Sequence, residues 1–311
     1  MITFAVLGHN ERLLLANAIT QAQDAAQQDE DRIWFVDSAS TDGSAELATS
    51  LGATVLRAPV GKGNATKTAS AACEDGYLCL LDADIESSSS NIPVALRDTL
   101  SDGDPDMIVG EFEEPRRRVT VVTTAIYEPL VEALFPEAAN RYGRTPLTGF
   151  RLLRAGLPLG QVPSGFGVEA HLNLVMAADG RRTAVARVGT YYGPFRRKPY
   201  LGLEVAAAIF DLAEAKGRLD HMARPLWDQW VTGVLRVVHR QPPEDVPLGD
   251  YVDRLRAAAS TPLPRARATP VTLSGVASSA RRTFRAWSRR APKSSSATEE
   301  APSDNASSGE G

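Results

Sequence analysis

Between residues 3 and 109 the chain alternates short apolar, β-branched runs with longer stretches of helical spacing, and no other feature constrains its fold as strongly. The spacing predicts strands over 3–7, 33–36, 54–56, 77–81 and 107–109, with helices over 12–26, 44–50, 65–72 and 92–100 between them. Strands separated by helices pair in parallel through crossover connections. The expectation is therefore an α/β fold, a mixed, mainly parallel, Rossmann-like sheet flanked by helices. The punctuation agrees. Thr41 or Asp42 is placed to cap the second helix and Asn91 the fourth, and Pro93 falls in a first turn where its missing N–H costs little. In open sheets of this kind ligands bind beyond the carboxyl ends of the strands. His9-Asn10-Glu11, Asp37-Ser38 and Asp82-Ala83-Asp84 all fall at such ends and are expected to converge on one rim.

Further along, a long helix is expected over 119–135, then a Pro- and Gly-rich stretch to Gly167, a helix over 168–177 and a strand over 183–188. This half should build the wall opposite the rim. More helices are expected over 201–216, 225–239 and 248–259. The reading divides the chain into a principal domain over 1–217, a helical extension over 218–260 and a disordered tail over 261–311, where Pro, Ser, Ala and charge take over. A length of 311 residues with 43% apolar residues suits one large core. The net charge of −4 gives no general nucleic-acid signature. The opening residues lack the basic flank of a secretory signal, and no apolar run is long enough for a bilayer. Cys73 and Cys79 have no partners at zinc spacing and read as core residues in a reducing cytoplasm. The segment 281–290 mixes arginines with Phe284 and Trp287, which suits peripheral contact with an anionic membrane; a solvated tail is the plainer alternative.

The chemistry is expected at the end of the apolar run Leu78-Cys79-Leu80-Leu81, where the chain turns acidic as Asp82-Ala83-Asp84. Alternate residues of a strand point the same way, so the two carboxylates can face one cleft roughly 7 Å apart. Hard divalent cations prefer such oxygens, and a diphosphate leaving group needs one for charge neutralisation. An Asp-x-Asp after an apolar run is also ordinary turn chemistry. Three companions at earlier strand ends change its weight: Leu7-Gly8-His9-Asn10-Glu11, then Asp37-Ser38, then Gly61-Lys62-Gly63. Asn10 and Glu11 can hydrogen-bond a base, Asp37 or Ser38 can accept from base or ribose, and a lysine between two glycines can approach a diphosphate closely. The Gly-Lys-Gly is not a Walker loop, because its second element is missing.

In that order the four signals resemble the nucleotide-sugar-binding half of GT-A-type glycosyltransferases. A second set narrows the resemblance. Arg117-Arg118-Val119-Thr120, Glu128-Pro129-Leu130, Leu134-Phe135-Pro136-Glu137, Pro146-Leu147-Thr148-Gly149 and Gly165-Phe166-Gly167-Val168-Glu169 look like the succession in glucosyl-3-phosphoglycerate synthases. Those are retaining enzymes that move glucose from a nucleoside diphosphate to 3-phosphoglycerate with Mg²⁺ assistance. The resemblance implies a donor site of Leu7, Gly8, Asn10, Glu11, Asp37, Ser38, Lys62, Asp82 and Ala83, with Asp84 on Mg²⁺ or Mn²⁺. It implies an acceptor grip from Arg118 and Thr120 and a contact of Glu169 with the transferred sugar; the basic cluster Arg196-Arg197-Lys198, just after a strand, is placed to aid the grip, with simple solvation as the alternative. Asp84, Lys62 and Glu169 are the expected catalytic residues.

Two departures stand out. The family completes its metal site with a histidine where this chain has Phe195 or a neighbour, and it carries a glutamate where this chain has Phe150. His171 lies two residues after Glu169, about 160° away on a helix, and reads as a packed or surface residue; Asn173 shares the glutamate's face. The expected activity is a metal-assisted transfer of a hexose, glucose first, from a nucleoside diphosphate sugar to a small anionic acceptor such as 3-phosphoglycerate, with retention. The alternatives are a lipid-phosphate or polymer acceptor at a membrane, and a nucleotide-sugar-binding protein without transfer activity. A homodimer is compatible with either reading.

Overall fold

The computed structural model describes residues 1–113, 121–193, 198, 200–238 and 248–267. Its main sheet has seven strands in the order β3-β2-β1-β4-β7-β6-β8. These are β1 (Ile2–Gly8), β2 (Arg32–Asp37), β3 (Thr54–Arg57), β4 (Tyr77–Asp82), β6 (Met107–Glu111), β7 (Arg151–Arg154) and β8 (Thr183–Arg187). Helices α1 (Leu15–Ala25), α2 (Ser44–Ser50), α3 (Lys62–Ala72) and α4 (Ile92–Asp98) connect the first strands. β1 pairs in parallel with β2 on one side and β4 on the other, so Val6 sits between Phe35 and Leu81. The expected alternation of strand and helix is therefore present, and all five expected strands form.

Period-two alternation sends the strands' side chains into two separate cores. Phe4, Val6, Phe35, Cys79, Leu81 and Ile108 pack on one face with Leu15 and Ile19 of α1 and Leu96 of α4. Ala5, Leu7, Val36, Leu80 and Val109 pack on the other with Ala65 and Ala69 of α3. Both faces are covered, which is why these strands read as continuous apolar runs. Cys73 and Cys79 are buried free thiols, as expected of core residues.

Several expectations need correction. β7 was not expected; its sequence Arg-Leu-Leu-Arg offers two apolar residues between charges, and it pairs antiparallel with both β4 and β6. A two-stranded ribbon of β5 (Ser87–Ser88) and β9 (Tyr191–Tyr192) is likewise too short to leave a periodic signal. The cap of α2 is Gly43 in the left-handed region, and Asp42 instead accepts from the Ser44 N–H at 3.0 Å and the Ser44 hydroxyl at 2.5 Å. Asn91 caps α4 as expected, accepting from the Val94 N–H at 3.0 Å. The long helix expected over 119–135 is continuous over the described residues 121–134 but not uniform: Thr123–Tyr127 forms a π-helical turn ahead of α5 (Glu128–Leu134). Pro129 explains the wider turn, since it has no N–H for the carbonyl four residues back and its ring crowds that carbonyl.

Helices α6 (Val168–Ala178), α7 (Leu201–Ala215), α8 (Arg224–Val238) and α9 (Leu248–Ala259) follow, and Trp227, Trp230, Tyr251 and Leu255 join the same core as the sheet face above α3. The described chain continues in contact past residue 260. Trp230 Nε1 donates to the Thr261 carbonyl at 3.0 Å, Trp227 Nε1 to Arg265 at 3.2 Å, and the Asp220 N–H to Ala266 at 2.8 Å. These bonds tie residues 261–266, which the sequence assigns to the tail, to α8 and its leading turn. The segment 281–290 and His239 lie outside the described residues. Among the described residues no helix is long and apolar enough to cross a membrane.

His171, on α6, is buried and its Nε2 lies 2.7 Å from the Leu159 carbonyl, so the neutral ring donates there. Burial holds its pKa below the ordinary histidine value, against the opposing pull of that carbonyl. A histidine with a depressed folded pKa binds fewer protons than the unfolded chain, so its stabilisation is complete above about pH 6.5 and is lost as pH falls. The wild type should therefore lose more stability between pH 7 and pH 5.5 than H171Q, measured by urea unfolding. A chain ending at residue 260 should be about 2 kcal/mol less stable than one ending at 267, from the loss of three hydrogen bonds; the same measurement checks it.

Candidate active site

The carboxyl ends of β1, β2, β4 and β6 share one edge of the sheet, and β7, running the other way, begins there. The rim segments are joined through backbone. The Ala83 N–H donates to the Leu7 carbonyl at 3.0 Å, and the Ser38 N–H to Gly8 at 2.9 Å. Gly8 is needed at this crossing, because a Cβ would come within 2.8 Å of the Phe35 ring and 2.9 Å of Ala83. Asn10 takes a left-handed conformation with φ of 56°, receives the Thr41 N–H on Oδ1 at 2.8 Å and donates its own N–H to Ser40 Oγ at 2.9 Å. His9 Nδ1 lies 2.7 Å from the Ser38 carbonyl, and the buried Glu11 donates its N–H to Ser44 Oγ at 3.0 Å. Asp37 has no exposed surface. Its carboxylate pairs with Arg57 and accepts from the Ser40 N–H at 2.9 Å, so it holds its own loop rather than opening onto the rim.

The centre of the site is an ammonium. Lys62, the first residue of α3, places Nζ 2.7 Å from Asp82 Oδ1 and 2.6 Å from Glu169 Oε1, joining β4 to the first turn of α6. Burial works against this charge, but Asp82 and Glu169 overcome it and raise the Lys62 pKa well above the ordinary lysine value. Gly149 is tight against the pair: a Cβ there would collide with Lys62 Nζ and the Asp82 carboxylate. Lys198 belongs to the same charge group, with Lys62, Asp82, Asp84 and Glu169 all acting on it and its Nζ 4.0 Å over the Phe166 ring. Burial and then the like charge of Lys62 hold its pKa below the ordinary value. The structure thus brings together Lys62, Asp82, Asp84, Glu169 and Lys198. Arg118, Thr120, Phe195 and Arg197 lie outside the described residues.

Beneath this group sits a cation that sequence reasoning missed. Arg151, 1% exposed, donates Nε to the Thr148 carbonyl at 3.0 Å, Nη2 to Pro146 at 2.6 Å and Nη1 to Asn173 Oδ1 at 2.7 Å. Asn173 in turn donates to the Tyr127 hydroxyl and the Pro146 carbonyl, both at 2.9 Å. The fork grips both ends of the loop that presents Gly149, while Asn173 stands one helical turn after Glu169. Burial lowers the Arg151 pKa, opposed chiefly by Glu169. An arginine opening a four-residue strand gives no sign in sequence of being internal. Phe150 turns the other way, into the core that packs on α1 and α4, where its ring meets Phe112 edge-on at 5.7 Å.

Among the described residues no group of three or more His, Cys, Asp or Glu side chains could enclose a metal ion. The donors present fit a different arrangement. One carboxylate oxygen set at Asp84, beside an Asp82 already shared with Lys62, suits a hard cation that takes its remaining ligands from diphosphate and water.

Residues 3–141 match the model of glycosyl transferase family 2. Among solved structures the chain is similar to glucosyl-3-phosphoglycerate synthase from Mycobacterium tuberculosis in complex with Mn²⁺, UDP-glucose and phosphoglyceric acid. That match has a TM-score of 0.58 at 21% identity, covering 71% of this chain and 81% of that one. The same synthase with Mg²⁺ and UDP matches with a TM-score of 0.59 at 21% identity and the same coverage. Mannosyl-3-phosphoglycerate synthase from Rubrobacter xylanophilus matches with a TM-score of 0.61 at 20% identity, covering 71% of this chain and 76% of that one. No curated protein matches the sequence. The sheet order, the rim and these likenesses agree on a GT-A fold, and residues 3–141, a little under half of the chain, resemble glycosyl transferase family 2.

Proposed function

We propose that this protein transfers a hexose, glucose first among candidates, from a nucleoside diphosphate sugar to a small anionic acceptor such as 3-phosphoglycerate, with retention of configuration. The observation that carries the reading is the Lys62 ammonium held between Asp82 and Glu169 at the strand end that also bears Asp84. Support for the substrates comes from the similar synthases, whose structures hold UDP-glucose, UDP and phosphoglyceric acid. Asn10, Glu11 and Ser38, with backbone at Leu7, Gly8 and Ala83, would hold the nucleotide. Asp37 would act indirectly, by fixing the loop that carries Ser38. Arg118, Thr120, Arg197 and Lys198 would hold the acceptor's anionic groups. A Mg²⁺ or Mn²⁺ ion at Asp84 would supply charge neutralisation for the leaving diphosphate.

In the reaction the acceptor oxygen bonds to the anomeric carbon, the bond from that carbon to the diphosphate breaks, and the acceptor proton passes to a diphosphate oxygen. No protein nucleophile is required. The protein's part is electrostatic and positional: Lys62 faces the diphosphate with a fixed positive charge, and Glu169, held by Lys62, accepts from a sugar hydroxyl. A site that needs no reorganisation as charge moves to the diphosphate stabilises that charge most. The two buried thiols suit a reducing cytoplasm.

A mass-spectrometric screen of UDP- and GDP-sugars against 3-phosphoglycerate and other phosphorylated acceptors, with and without Mg²⁺, checks the assignment. The expected product is a hexosyl-phosphoglycerate whose anomeric proton coupling matches that of the donor; no product with any donor would refute it. D84A should abolish turnover, and donor consumption at the wild-type rate would remove Asp84 from the machinery. K62M should lose activity and also about 3 kcal/mol of stability, because Asp82 and Glu169 are left without their shared cation. Chemical denaturation of the variant reads the second effect.

A further inference from the structure

The loop at residues 163–167 lies between two elements that the proposed reaction treats differently. On one side is the start of α3. The Gly63 N–H donates to the Gly165 carbonyl and the Asn64 N–H to the Ser164 carbonyl, each at 3.2 Å, and a Cβ on Gly63 would strike the Pro163 carbonyl. On the other side is Glu204, in the first turn of α7, which takes no part in the chemistry proposed above. Its Oε2 accepts the Phe166 N–H at 2.5 Å. Gly165 must be glycine for this approach, since a Cβ would collide with the same oxygen, and a Cβ on Gly167 would come within 2.7 Å of Ala208. Lys198, three residues before α7, covers the Phe166 ring at 4.0 Å.

The loop therefore has its carbonyls committed to α3 and its next free N–H committed to one carboxylate. It leads directly into Val168-Glu169, and Glu169 returns to α3 through Lys62 at 2.6 Å. This closes a ring: α3, the loop, the start of α6, and the Lys62 ion pair. Glu204 is the charged side chain that fastens the ring from outside, and a charge-assisted bond to a backbone N–H is among the stronger tethers available. We propose that Glu204 is a positioning residue, which sets the Glu169 carboxylate against Lys62 by anchoring Phe166. In linking Glu204 to turnover, the inference rests on the transfer reaction proposed above; in linking it to the Lys62 pair, it does not.

The test uses the full chain and two variants that attack one contact from opposite sides. E204A removes the acceptor, and G165A drives a methyl group into its place at a position whose backbone tolerates alanine. E204Q keeps a carbonyl oxygen for the Phe166 N–H and serves as the conservative rescue. Nitrogen-15 NMR of lysine side chains reads the pair directly, with the Lys62 ammonium signal identified by its loss in K62R. Hydrogen exchange at Lys62 should be at least about tenfold faster in E204A and G165A and near wild type in E204Q. Under transfer conditions kcat should fall about a hundredfold in the first two with little change in donor KM. Lys62 exchange unchanged in both E204A and G165A, each melting cooperatively, would overturn the proposal; should E204A not fold, G165A decides. If the wild type transfers no sugar at all while Lys62 exchange responds as expected, the positioning role stands and the reaction reading is what fails.

Discussion

One ammonium organises this site. Lys62 begins a helix, Asp82 ends a strand and Glu169 opens another helix, and none of the three is near another in sequence. Their ion pairs, at 2.7 and 2.6 Å, occur where side-chain exposure is 15% for the lysine and 7% for the glutamate. In such surroundings a charge without its partner is costly, so the three elements are held to one geometry. The same fact makes the site suited to catalysis. A cation whose counter-ions are fixed by the fold does not have to reorganise when negative charge develops nearby.

The pair depends on how closely backbone can approach it. Gly149, Gly63 and Gly165 each stand where a Cβ would meet a charged group or a carbonyl. Their conformational cost is offset by what lies behind them. Arg151 satisfies the carbonyls at both ends of the 146–148 turn, and Asn173 ties that turn to α6 and to Tyr127 on the π-helical turn. A buried guanidinium is a demanding choice for a scaffold, because each unpaired N–H would carry a desolvation penalty. Here the fork meets carbonyl and amide oxygens, and its charge lies near Glu169. The departure at Phe150 fits this division: the side chain serves the core on the α1 and α4 side, while its neighbours on either side serve the site.

Much of this was legible before any coordinates. The four apolar runs from β1 to β4 and the helices between them are long enough to show their period, and their polar ends mark the rim. Asp82, Asp84, Lys62 and Glu169 were readable as candidates because their motifs fall at strand and helix ends in the order of a known family. What was not legible is short or locally ambiguous. β7 has two apolar residues between arginines, the β5–β9 ribbon has two residues a side, and the π-helical turn looks like ordinary helix until Pro129 is weighed against its i−4 carbonyl. Asp37 read, with Ser38, as one of two acceptors for base or ribose; its pairing with Arg57, on the neighbouring strand, was not legible.

The sequence by itself determined the class of fold, the rim and the residue types gathered on it, because periodicity and strand-end polarity are local properties. Tertiary structure alone decided the partners: that Lys62 is shared between Asp82 and Glu169, that Arg151 is internal, and that Glu204 reaches the Phe166 N–H. Those contacts join residues separated by 20 to 107 positions in the chain. No local pattern encodes them, because a charged side chain has the same propensity whether it ends in water or against a counter-ion, and only packing removes the water.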